Sequence, residues 1–79
     1  MEIRLLRKLF REGLLLNAKV LPVPMQADRW MLVFDKPSGG QEEVSKTRAP
    51  DETKFYKRVI GAIEDAKDIG FKEVTIRFE

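Results

Sequence analysis

The chain reads as a small α+β domain: a helix, a three-stranded antiparallel meander, a second helix and a fourth strand, with both helices packed on one face of a four-stranded mixed sheet. Three observations predict this. Apolar residues recur at helical spacing in the opening IRLLRKLFRE and again after Pro50, they alternate at period two in LNAKVL, RWMLVF and EVTIRF, and glycines or prolines punctuate the blocks. No repeat or low-complexity tract interrupts the order, so one domain over residues 1–79 accounts for the whole.

The first helix should span residues 2–12 and stop at Gly13, which suits the left-handed position just past a helix end. In LLLNAKVLPVP the period changes to two, placing Leu14, Leu16, Ala18 and Val20 on one side of a first strand and Asn17 and Lys19 opposite. Pro22 and Pro24 cannot donate to a ladder and should close that strand. After a short polar connection, RWMLVFD is the most apolar strand, with Trp30, Leu32 and Phe34 on one face and Met31 and Val33 on the other. KPSGG supplies a turn, and QEEVSKTR returns as a polar third strand of the kind that protects an edge.

Pro50 suits a first helical turn, and Asp51 and Thr53 suit capping, so the second helix should run over residues 51–69 and stop at Gly70. Its apolar stripe would be Phe55, Val59, Ile63 and Ala66, flanked by Tyr56 and Ile60. In the closing strand Val74, Ile76 and Phe78 should point inward, with Thr75 and Arg77 outward. A helical crossover makes this strand parallel to the first, its preferred neighbour.

Composition narrows the function classes. At 79 residues a single core is only marginally sufficient, and a homodimer would supply further buried surface. Hydrophobic residues make up 43% and charged ones 35%, which is a globular balance. The chain has neither cysteine nor histidine. That removes disulfides, thiolate and imidazole metal sites, and the usual base and nucleophile pairings. Glu42 and Glu43 are adjacent on a strand and face opposite ways, so they are no catalytic pair. KPSGG lacks the spacing of a phosphate-binding loop. The expectation is a chain that is not an enzyme, with no catalytic, cofactor or metal site. No apolar run reaches the roughly 18 residues of a membrane span, and the cations interspersed in the opening do not fit a secretory signal. A cytoplasmic protein without membrane attachment is expected.

The net charge of +2 says little, so its distribution matters more. At about 100° per residue, Arg4, Arg7, Lys8 and Arg11 gather on one face of the first helix. Such a stripe is a candidate nucleic-acid or anion footprint, or else a solvated outer face. A second candidate patch joins Lys46 and Arg48 to Lys54, Lys57 and Arg58, the last three set at the start of the second helix where anions bind. Local pairing with Asp51, Glu52 and Glu64 is the plain alternative. The aromatic residues Trp30, Phe34, Phe55 and Phe78 fall at core positions of their patterns.

The succession GLLLNAKVLPVP, RWMLVF, SKTR, KFYKRVIGAIEDAKDIGF and EVTIRF resembles a family of small plasmid-borne proteins, the ParC-type partition-associating or replication-associated proteins. In that family a short leading helix ends at a glycine, a proline-marked strand precedes a tryptophan strand, and a helix ends in Ile-Gly. The chain departs from the pattern at APDETKFYK, where the family has a shorter, glycine-containing connection. The resemblance implies a non-enzymatic accessory or adaptor protein of a plasmid or other mobile element, acting in maintenance or partition by binding a protein partner or DNA. The alternative is a domain that binds nucleic acid directly through a basic helix face. A small carboxylate-based enzyme is the third reading.

Overall fold

The computed structural model describes residues 1–46 and 48–78. Helix α1, Ile3–Arg11, buries Leu6 completely and ends in a tight double-bonded turn. Gly13, at φ 75°, donates to the Phe10 carbonyl at 3.1 Å, and Leu14 donates to the Leu9 carbonyl at 2.9 Å, so two otherwise orphaned carbonyls are satisfied. Strand β1, Asn17–Val23, pairs antiparallel with β2, Gln26–Asp35, in a register that sets Ala18 against Phe34 and Val20 against Leu32. Between them Met25 turns the chain at φ 63°.

After the Lys36 to Gly40 turn, β3, Gln41–Glu43, returns along β2. Two short strands, β4 at Ser45–Lys46 and β5 at Ala49–Thr53, form a separate hairpin sheet. Strand β6, Phe55–Tyr56, then joins the edge of β2 beside β3, pairing Trp30 with Tyr56 and Met31 with Phe55. Helix α2, Val59–Ile69, carries the chain across to β7, Thr75–Ile76, which lies parallel to β1. The main sheet therefore has five strands in the order β3–β2–β1–β7, with β6 sharing the edge of β2. Both helices pack against its core face, where Leu6, Ala18, Val20, Leu32, Phe34, Ala62 and Ala66 close together.

The α+β layout and the parallel return to β1 match the sequence reading; the main sheet has five strands where four were expected, because β6 joins the edge of β2, and further details differ. The second helix begins at Val59, and residues 49–56 are extended in place of its expected first turns. Tyr56 explains the change: as a strand residue it reaches the core at 6% exposure opposite Trp30, a burial that outweighs the helix-start chemistry of Pro50 and Asp51. The third strand divides, because Val44 turns into the core and Ser45 leaves β2 to pair with Thr53; Thr47 lies outside the described residues.

Leu14 and Leu16, expected on the inner side of the first strand, are exposed ahead of β1, and Leu15 is buried instead. The turn at Gly13 fixes that phase. Phe55 is 40% exposed because β6 turns it to the other face of the sheet, and Phe78 is 73% exposed beyond the end of β7. With helix α2 shortened, Ala62, Ala66 and Ile69 supply its buried side and Ile60 faces out. No helix among the described residues is long and apolar enough to cross a membrane.

Candidate functional site

The first helix presents its cations unequally. Arg7 leans onto α2, donating from Nε to the Asp68 carbonyl at 3.1 Å and from its other end to the Asp68 carboxylate. Arg4 lies 3.6 Å from Glu2 and keeps 83% of its side chain exposed. Lys8 and Arg11 are exposed, and neither is in an ion pair among the described residues. Arg4, Lys8 and Arg11 thus line one stripe about 10 Å long, at 1.5 Å per residue. Lys8 and Arg11, in the last turn of α1, also complement its dipole.

The second expected patch does not assemble at a helix start. Lys46 is paired with Glu52 at 3.1 Å, and Lys54, on the extended segment, donates to Asp65 at 3.0 Å and lies 5.1 Å over the Tyr56 ring. Arg48, Lys57 and Arg58 are exposed, with Lys57 and Arg58 ahead of the first turn of α2. The cause is the late start of α2, which puts Tyr56 on β6 and Lys54 in the link between β5 and β6. One pairing across the two patches emerges: Arg4 and Lys54 line a shared hollow of about 350 Å³ with Glu2, Ile3 and Ser45.

Tyr56 and Asp65 form a cluster that sequence spacing gave no way to find. The phenol donates to the Asp65 carboxylate at 2.6 Å, and Lys54 donates to the same oxygen. Burial first, and then the Asp65 carboxylate, push the phenol well above its ordinary value of 10.0, so it stays protonated at neutral pH. A protonated phenol spent on a carboxylate is neither base nor nucleophile, and the cluster ties α2 to β6.

Three of the four carboxylates around a second hollow are similarly engaged, and the fourth, Asp51, is exposed. That hollow, of about 470 Å³, is lined by Glu42, Glu43, Asp51 and Glu52, yet Glu42 holds Lys36, Glu43 accepts from Thr53 and Glu52 holds Lys46. Among the described residues no group of three or more acidic side chains is placed to hold a metal, and no buried side-chain polar atom lacks a partner.

Beside the basic stripe runs an apolar feature. Met1, Leu9, Leu14, Lys36, Pro37, Ser38 and Glu42 line a hollow of about 520 Å³ between α1 and the β2–β3 turn. Leu5, at 45% exposure, and Leu14, at 44%, leave apolar surface bare on the same flank. The helix-ending turn brings Leu14 back against Leu9, which it joins in the lining. In sequence Leu14 was indistinguishable from a strand residue; only the bonding at Gly13 sends it outward. No family model, no curated protein and no solved structure matches this chain.

Proposed function

We propose that the chain is a non-enzymatic binding module that takes a protein partner through the outer flank of α1. The observation that carries this reading is the junction of two chemistries. Exposed Arg4, Lys8 and Arg11 border exposed Leu5 and Leu14 and the apolar hollow behind them. Phosphate contacts need cations alone and gain nothing from bare leucines, whereas protein interfaces combine an apolar centre with a charged rim. The resemblance to plasmid partition-associating proteins supports the same role: an accessory or adaptor protein of a mobile element, working in the cytoplasm, with a homodimer as one way to present two such flanks.

The second reading is direct nucleic-acid binding, favoured by the three solvent-facing cations on one helix stripe. Titration of labelled duplex and single-stranded DNA at low and near-physiological salt separates the two, with oligomeric state measured on the same sample. The protein-partner reading expects no saturable DNA binding near physiological salt. Micromolar binding with a steep salt slope, abolished by Lys8→Glu with Arg11→Glu, would replace it with the DNA reading.

A further inference from the structure

We propose that the hollow between α1 and the β2–β3 turn receives the apolar side chains of an acidic amphipathic peptide segment, whose carboxylates lie along Lys8, Arg4 and Arg11. This rests on the reading of the α1 flank as a protein-binding surface and specifies the chemistry of its partner.

Three features select that occupant. Met1, Leu9, Leu14 and Pro37 give the hollow an aliphatic share of its lining, beside Lys36, Ser38 and Glu42, which suits inserted side chains. Its polar members are already matched to each other, since Lys36 donates to Glu42 at 3.0 Å, so the mouth is close to neutral. The adjoining face of α1 is positive: stepping about 100° per residue, Leu9, Leu5, Lys8, Arg4 and Arg11 succeed one another around the helix, away from the hollow. Two acidic side chains share that flank: Glu2, 3.6 Å from Arg4, and Glu12, one turn from Lys8, so Lys8 and Arg11 are its cations outside any ion pair among the described residues. A segment with leucines on one side and carboxylates on the next therefore meets apolar surface with apolar surface and charge with opposite charge, as amphipathic segments do in grooves. The apolar contacts would hold the segment; the cations would orient it and speed its arrival.

Other occupants fit less well. A helix lying on a membrane turns its leucines to the lipid and its cations sideways. Here the main apolar side of α1 is spent on the core through Leu6, and the cations occupy its outermost position. Nucleic acid would use the stripe and leave the hollow empty.

The test uses the full chain and a fluorescent acidic peptide bearing leucines at i, i+3, i+4 and i+7. Comparison probes are the same peptide with alanines for leucines, duplex DNA and phosphatidylglycerol vesicles. At near-physiological salt the leucine peptide should bind, the alanine peptide about tenfold or more weaker, and Leu14→Asp should weaken the leucine peptide by a similar factor. Leu14 is 44% exposed, so this variant should keep its fold, which the emission of Trp30 would verify. Equal binding of both peptides, indifference to Leu14→Asp, no peptide binding, or tighter binding to DNA or vesicles would each overturn the proposal. If Leu14→Asp is silent while Lys8→Glu with Arg11→Glu abolishes peptide binding, the hollow is excluded and the α1 flank stands. If the charge reversal is silent as well, the broader reading falls with it.

Discussion

Gly70 shows how a single residue holds the helices in place. Its φ is 134°, and a Cβ there would sit 2.7 Å from Cε2 of Phe10. Phe10 packs edge-on to Phe71 at 4.7 Å, and Phe71 stacks on Phe34 at 5.4 Å, so the Phe10 ring has little room to withdraw. Gly70→Ala should therefore destabilise the protein by about 2–4 kcal/mol, combining backbone strain with overpacking. Urea unfolding would measure it, and a change under about 0.5 kcal/mol would contradict this packing. Tyr56 offers a second residue-level test, because it is the sole tyrosine and its phenolate absorbance reports on it directly. Its folded-state pKa is raised, so its contribution is complete below the ordinary value of 10.0 and declines as pH climbs beyond it. The native phenol should ionise only above 10.0, and Tyr56→Phe should lower stability at neutral pH by about 1–2 kcal/mol. Normal titration near 10.0 would refute the Asp65 contact. Gly13 and Gly70 were legible as stops because glycine has few rivals at positive φ. The Tyr56 to Asp65 bond was not, since the partners sit on different elements and share no periodicity.

At the scale of elements, α1 depends on one fully buried side chain. Leu6→Ala should cost about 3 kcal/mol through lost transfer and a residual cavity, whereas Leu5→Ala, at a site 45% exposed, should cost less than about 1 kcal/mol. Equal effects in thermal unfolding would mean that α1 is rotated from the described orientation. β2 was readable because Leu32 and Phe34 alternate strictly with Met31 and Val33 and both faces are apolar. The segment 49–56 is extended against its local helix-start signals for an identifiable reason. Asp51, Glu52 and Thr53 resemble a helix start locally, while the cross-strand contacts of Phe55 and Tyr56 with Met31 and Trp30 are long-range and leave no mark on local spacing. The same long-range pairing displaces a candidate site, because Lys54 falls between β5 and β6 instead of at a helix start and turns to Asp65.

For the whole molecule, the two helices and the apolar side of the sheet consume most of the aliphatic residues, and large apolar side chains remain exposed at Leu5, Leu14, Leu16, Met25, Phe55, Ile60 and Phe78. Leu5 and Leu14 gather beside α1, next to cations that the sequence identified from spacing alone. The stripe was legible and the hollow beside it was not, since the hollow joins Leu9, Leu14 and Pro37 from three separate segments. The most direct measurement of the central claim is a residue-resolved NMR titration of the labelled chain with the acidic leucine peptide. Binding on the α1 flank should shift Leu5, Lys8, Leu9, Leu14 and Lys36 and leave Leu21, Met31 and Phe55 unmoved. Shifts centred on those three sheet residues, or no shifts anywhere, would contradict it.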